Sequence, residues 1–304
     1  MPYDPITAAK NANFVQFTYN MFKAAPTNLR PPVDPGLAAA GYELLYYLSA
    51  HDFQEVRFYG YLAASTASPG NVVLAVRGTQ TVPEWILDFD ALPLPYLGKG
   101  FVVAGFRNIA ESFQFTDPTG VTVGNLTAAL AARNAKVPIS NVTVLGHSLG
   151  AALATLAAAQ IKFSGNGIGG ALSLFTYASP RVGLLDFMTA FNHAVPDTFR
   201  VWNTLDIVPQ VPTIPYVHVG QSKELKQQQS QIQKLQVNPS CEHSLQSYQW
   251  LLDPGGFSIG TGCAVAAPAK MEGGVESIGG AAVVPVNESA LGAAALARGL
   301  QQEM

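Results

Sequence analysis

Charge is scarce in this chain. Asp, Glu, Lys and Arg make up 12% of its 304 residues and the net charge is −3, about half the usual charged share. No polycationic surface is available, which excludes the electrostatic footprint of a nucleic-acid-binding protein. The two cysteines, Cys241 and Cys263, are too few for a cysteine-built metal cluster or a multi-bridge framework; whether they pair with each other is open from sequence. No stretch reaches the ~18 consecutive apolar residues of a membrane span. Met1 to Lys10 lacks a basic region followed by an apolar run, so no signal-peptide pattern is visible. That leaves a cytoplasmic protein, or a sequence beginning at a mature or engineered end. There is no internal repeat.

Apolar residues are plentiful, at 48%, enough to bury a sizeable core. The expected organisation is one domain over residues 1–253 and a tail over 254–304, rich in Gly and Ala, loosely packed apart from a short helix near Leu291 to Leu300. Ile6 to Ala25 reads as a helix, with Phe14, Phe17 and Met21 at helical spacing and Pro26 after it. Leu29 to Pro35 is a proline-rich connection, and Leu37 to Leu48 reads as a second helix. Val56 to Ala64 and Val72 to Val76 are strand-like and separated by Ser68-Pro69-Gly70, a hairpin pattern. Then strands (Val142 to Leu145, Ala171 to Tyr177, Phe199 to Trp202) alternate with helices (Ala151 to Phe163, Leu184 to His193). That alternation argues for an α/β fold with a mainly parallel sheet. Gln221 to Gln236, rich in Gln and Lys, has no apolar face and reads as a solvated insertion.

Gly146-His147-Ser148-Leu149-Gly150 stands between an expected strand and an expected helix. A turn of this kind lifts a serine hydroxyl clear of the backbone at a helix N-terminus. Free N–H groups and the helix dipole there favour negative charge, and the Leu149 N–H is placed to bind an oxyanion. Glycines two residues to either side let neighbouring elements approach. The bland alternative is a glycine-rich helix cap in which Ser148 only satisfies N–H groups.

A serine hydroxyl needs a base, and the base needs an orienting carboxylate. Asp186, Asp197 and Asp206 lie downstream in the expected chain order. Asp206 is preferred because it follows a strand at its C-terminal end, the edge where open parallel sheets carry their chemistry. His218 and His243 both follow. His218 sits in the alternating run Tyr216 to Val219, where a hydrogen-bonded structural histidine is the commoner outcome. His243 begins an expected helix after a loop and is preferred as the base. His147, beside the nucleophile, reads as a support for the turn; His51 and His193 read as surface residues.

Over roughly Ala40 to Trp250 the motifs resemble those of the class 3 lipases, the group of the fungal triacylglycerol lipases. In order they are Val76-Arg77-Gly78-Thr79, Glu84-Trp85-Ile86, Gly105-Phe106, Gly-His-Ser-Leu-Gly and Thr176-Tyr177-Ala178-Ser179-Pro180-Arg181-Val182-Gly183. Asn203-Thr204-Leu205-Asp206-Ile207-Val208-Pro209, Tyr216-Val217-His218-Val219-Gly220 and Cys241-Glu242-His243 follow. The resemblance implies an α/β-hydrolase fold with helices on both sheet faces, and a triad of Ser148, Asp206 and His243. It also implies that Thr79 supplies a second oxyanion N–H and a hydroxyl, and that His218 matches a family histidine that is not the base. Where the family often carries a histidine, two residues before Gly-Phe, this chain has Val103.

The resemblance further places a lid at about residues 80–97, with Val82, Trp85, Ile86, Leu87 and Phe89 as its apolar side chains. Such a lid would shield an acyl site in water and open at a lipid–water interface. The implied activity is carboxylic ester hydrolysis on medium- to long-chain acyl esters, most simply triacylglycerols, without metal or cofactor, by a monomer or small oligomer. Phospholipase A1, feruloyl esterase and a non-catalytic lipid-binding relative are the alternatives. The family is mostly secreted.

Overall fold

A computed structural model describes residues 2–52, 55–79, 91–164, 170–227, 231 and 233–265. The expected lid side chains Val82, Trp85, Ile86, Leu87 and Phe89 lie outside the described residues, as does the expected helix near Leu291 to Leu300.

A nine-stranded sheet organises the described chain. Its strands are β1 (Tyr42–Asp52), β2 (Glu55–Ser65), β3 (Asn71–Val76), β6 (Gln114–Thr116), β7 (Thr122–Gly124), β8 (Asn141–His147), β9 (Ala171–Tyr177), β10 (Thr198–Asn203) and β11 (Gln221–Leu225), in the order β11-β10-β9-β8-β3-β2-β1-β6-β7. From β3 through β8, β9 and β10 to β11 every pairing is parallel. β2, β1, β6 and β7 extend it antiparallel. A short ribbon, β4 (Pro93–Pro95) with β5 (Phe101–Val103), stands apart. The expected α/β architecture is there, and so is the β2–β3 hairpin.

Helices cover both faces. α3 (Ala104–Glu111), α4 (Leu126–Lys136), α5 (Leu149–Phe163) and α6 (Leu185–Ala194) share one core with Leu48, Leu62, Leu74, Val144 and Leu174. α1 (Pro5–Ala24) and α8 (Leu245–Leu252) share the other with Tyr61, Val73, Leu145, Phe175 and Val201. α5 explains its own alanine content: its buried residues run from Leu149 to Ala159 without a break, so no side of it is free for a polar stripe. α1 begins where its sequence says, with Asp4 accepting the Thr7 N–H at 2.8 Å and Pro5 in the first turn.

Three expectations need correction. Leu37 to Leu48 is not one helix: α2 (Pro35–Ala39) stops at Gly41, whose φ is +78°, and β1 follows. Tyr46 and Leu48 enter one core and Tyr47 the other. A strand buried on both faces has no polar alternation, and an apolar run of that kind is indistinguishable from a buried helix by periodicity. The Gln- and Lys-rich stretch is not simply a solvated insertion. Its first part is β11, paired parallel to β10 from Phe199↔Gln221 to Asn203↔Leu225. An edge strand is held by backbone hydrogen bonds and keeps polar side chains, so nothing apolar announces it. Farther on, Leu235 is fully buried with Cys241 and Trp250. Finally, residues 254–265 are tied back to the domain: Cys241 and Cys263 form a disulfide with Cα atoms 5.4 Å apart, and Ile259 packs on the Leu235 cluster.

Candidate active site

The turn around Ser148 shows why its neighbours are glycines. β8 ends at His147, Ser148 takes φ +58° and ψ −131°, and α5 starts at Leu149. A non-glycine residue so placed carries roughly 1–3 kcal/mol of strain, offset by the packing around it and by the Ser148 N–H bond to the Tyr177 carbonyl at 2.9 Å. A Cβ on Gly146 would lie 2.2 Å from the Gly150 oxygen, and one on Gly150 would lie 2.4 Å from the Arg77 oxygen. Both are backbone clashes, so β3, β8 and α5 come this close only because these positions are bare. Ser148 is fully buried, and its Oγ has no hydrogen-bond partner among the described residues. The Leu149 N–H opens α5, where helix N–H groups have no acceptor within the helix.

Asp206 stands just beyond the C-terminal end of β10, as expected. Its Oδ1 accepts the Val208 N–H at 3.0 Å. Its Oδ2 lies 2.8 Å from His243 Nδ1 and accepts the Tyr248 hydroxyl at 2.8 Å. Because an ionised carboxylate only accepts, the His243 proton sits on Nδ1 and the Nε2 carries a lone pair. That Nε2 is buried and has no partner among the described residues. His243 does not begin a helix: it ends α7 (Pro239–His243), and Ser244 then caps α8. The junction of two short helices fixes its backbone. Asn203 adds to this, its Nδ2 donating to the Glu242 carbonyl at 3.1 Å while its N–H donates to the Tyr248 oxygen at 3.0 Å.

His147 is part of a polarised chain. The Gly78 N–H donates to the Tyr19 oxygen at 2.9 Å, the Tyr19 oxygen lies 2.8 Å from His147 Nδ1, and His147 Nε2 lies 2.8 Å from the His243 carbonyl. Only one sense satisfies every link. The carbonyl needs an N–H, so Nε2 is protonated; Nδ1 therefore accepts, and Tyr19 donates to it. Burial, and then the proximity of His243, push the His147 pKa well below the ordinary histidine value, which keeps the ring neutral as this chain requires.

Thr79 is the third residue after β3. A Cβ on Gly78 would lie 2.8 Å from Ser148 Cβ, so the loop runs against the serine. Arg77, 3% exposed, donates from Nε to the Phe58 carbonyl and from Nη1 to the Gly78 carbonyl, each at 2.8 Å, and lies 3.6 Å from the Phe22 ring centre. The Gly78 carbonyl and the Thr79 N–H belong to one planar trans peptide and point in opposite directions. By holding the first, Arg77 turns the second away from itself. The Thr79 hydroxyl is buried and has no partner among the described residues.

The other candidates fall elsewhere. His218 donates from Nε2 to the Pro209 carbonyl, 2.8 Å away, and burial, then Arg200, lower its pKa to about 3; its segment forms a single bridge to Gly183 and no strand. Asp186 is in the first turn of α6, and Asp197 precedes β10. His51 and His193 are exposed. Val103 is wholly buried in the core. Tyr19, Arg77, Asn203 and Tyr248 were not singled out by sequence. Arg77 and Asn203 stand inside recognisable motifs, but Tyr19 and Tyr248 look like ordinary aromatic positions on amphipathic helices.

Among the described residues no group of His, Cys, Asp or Glu is arranged to hold a metal ion, and no helix is long and apolar enough to cross a membrane.

Residues 73–216 match the family described as Lipase (class 3). The chain is 31% identical over 242 residues to phospholipase A1-II 3 of Oryza sativa subsp. indica, an alignment covering 67% of this chain and 57% of that protein. It is 33% identical over 192 residues to secreted mono- and diacylglycerol lipase A of Penicillium cyclopium, covering 61% of this chain and 57% of that protein. The chain thus spans little more than half the length of these relatives. In three dimensions it is similar to a triacylglycerol lipase whose catalytic centre is a serine protease triad (TM-score 0.58, 21% identity, 73% of this chain and 79% of that one). It is also similar to the Rhizomucor miehei lipase in its propeptide complex (TM-score 0.57, 22% identity, 72% and 67%). At these identities the structural likeness shows a shared fold.

Proposed function

Because the chain belongs to the class 3 lipase family, we propose that it is a serine carboxylic ester hydrolase with Ser148 as nucleophile, His243 as base and Asp206 as the orienting acid. One observation carries the reading. His243 is held by Asp206 through Nδ1 at 2.8 Å, while its Nε2 and the Ser148 Oγ are both buried without partners among the described residues. Buried polar atoms rarely go unpaired, and where they do an active role is a leading explanation.

In this mechanism His243 Nε2 takes the Ser148 proton as Oγ attacks the ester carbonyl. Asp206, acceptor of three hydrogen bonds, stabilises the imidazolium. The N–H groups of Leu149 and Thr79 receive the oxyanion, each worth about 3 kcal/mol in the transition state. His243 then protonates the leaving alcohol, and water, activated by the same imidazole, releases the acid.

The substrate class proposed is a medium- to long-chain acyl ester, with triacylglycerol as the first choice and phospholipid cleavage of the A1 type as the second. The second is favoured by the rice relatives, which are named phospholipases A1. The disulfide supports a secreted protein, since such bonds persist in oxidising compartments.

An organophosphonate should label Ser148 stoichiometrically, and Ser148→Ala should abolish both labelling and ester hydrolysis. A correctly folded Ser148→Ala protein that still hydrolyses esters would overturn the assignment. Parallel assays on triacylglycerols and on phosphatidylcholine then separate the two substrate readings.

A further inference from the structure

Two guanidinium groups line one cavity, and none of its lining residues is a carboxylate. Arg181, Arg200, Trp202, Pro209, Gln210 and His218 line a cavity of about 110 Å³. That is room for more than one water, whose share of liquid volume is about 30 Å³. Neither arginine forms an ion pair among the described residues.

Their circumstances differ. Arg181 is committed to the Gln210–Pro212 segment: it donates to the Gln210 carbonyl, to the Pro212 carbonyl at 2.8 Å, and to the Gln210 side-chain oxygen at 3.4 Å. Arg200 is only 9% exposed, and among the described residues a single bond, from Nη2 to Ser222 Oγ at 3.0 Å, accounts for it, while its buried Nε has no acceptor. Trp202 donates to the same Ser222 oxygen at 2.9 Å and places its ring 5.4 Å from the Arg200 guanidinium carbon. Burying a charge is costly unless it is paired and hydrogen-bonded. Here a buried cation with free donors faces a small cavity beside a second cation. The missing partner is an anion with several acceptor oxygens, the geometry a guanidinium fork suits best.

We propose that this cavity is a binding site for a tetrahedral phosphate-type oxyanion, held by Arg200 and Arg181 against the Trp202 ring. The chemistry is shared by free inorganic phosphate and by the phosphodiester of a lipid head group. The site rests on none of the chemistry assigned to Ser148. It does adjoin it in sequence: Pro209 and Gln210 belong to the short turn Val208–Gln210 that follows Asp206, and the Val208 N–H is bound by Asp206.

The test is a titration of the whole chain at constant ionic strength, with sodium chloride as the balancing salt. One arm uses inorganic phosphate and the other glycerophosphocholine. Saturable change of tryptophan emission is expected in at least one arm, with a rise of about 2–5 °C in the unfolding midpoint near saturation. Response to phosphate alone assigns a soluble oxyanion; response to glycerophosphocholine alone assigns a head group. Trp202→Phe should lose the emission change and keep the rise in midpoint, and Arg200→Gln should lose both. No saturable response in either arm beyond the chloride control overturns the proposal. An emission change that survives in Trp202→Phe places the ligand elsewhere and overturns it equally, and this holds even if Arg200→Gln does not fold.

Discussion

Tyr248 donates its hydroxyl hydrogen to the same oxygen of Asp206 that receives the His243 Nδ1–H, each at 2.8 Å. The phenol also accepts the Asn203 N–H, and burial, then the charge of Asp206, raise its pKa well above the ordinary tyrosine value. It is therefore a proton donor at any working pH. Tyr248→Phe should remove one donor from the carboxylate and strand the Asn203 N–H. The expected outcome is roughly 1–3 kcal/mol less stability, with kcat about tenfold lower and KM little changed, read by thermal unfolding and steady-state kinetics.

Tyr19→Phe should break the chain that joins Gly78 to His147. Two polar groups lose their partner, for a stability cost of ~1–3 kcal/mol. The proposed oxyanion loop loses an anchor, so the defect should appear in kcat more than in KM. A Tyr19→Phe enzyme with wild-type kcat would remove Tyr19 from the list of positioning residues.

Acid should unfold this protein earlier than its few carboxylates suggest. His147 and His218 both have folded pKa values below the ordinary 6.5, His218 at about 3. Below pH 6.5 the unfolded chain binds protons that the folded one refuses. Stability is then full above that pH and falls as pH drops toward the folded values, by up to ~1.4 kcal/mol per pH unit for each group. Denaturant midpoints measured from pH 7 to 4 should decline accordingly, and His218→Gln should flatten the slope by about one proton.

Gly150→Ala would place a Cβ 2.4 Å from the Arg77 oxygen. Overpacking of this kind costs about 1–3 kcal/mol, and here the strain falls between Arg77 and the helix behind Ser148. Circular-dichroism melting should show the loss, with activity falling further than stability does.

Reducing Cys241–Cys263 opens a loop with a sequence separation of 22, a loss of about 3 kcal/mol. His243 is two residues from Cys241. Ester hydrolysis should therefore decline at dithiothreitol concentrations that leave the rest of the fold intact by far-ultraviolet circular dichroism.

The relation of sequence to site was uneven, for physical reasons. The turn at Ser148 was legible because it requires particular residue types at fixed spacing: two glycines where no Cβ fits, and a strand leading into a helix. Asp206 followed from strand direction. β1 leaves no strand signature because a strand buried on both faces lacks a period, and β11 leaves none because an edge strand is specified by backbone hydrogen bonds. Tyr19 and Tyr248 could not be found at all. Each lies on a helix where its ring fits the core pattern, and only the fold brings its hydroxyl to His147 or Asp206, across 128 and 42 residues of chain.

The helices bearing those two tyrosines also touch each other: Gln249 of α8 donates to Asn13 of α1 at 2.8 Å. His147 and Asp206 are thus held from the first and the last helix of the described residues. A chain still emerging from the ribosome has Ser148, Thr79 and Asp206 before α8 exists, yet Asp206 lacks both His243 and Tyr248 until then. On the proposed reading, synthesis itself acts as a delay, because a chain without His243 has no base for Ser148.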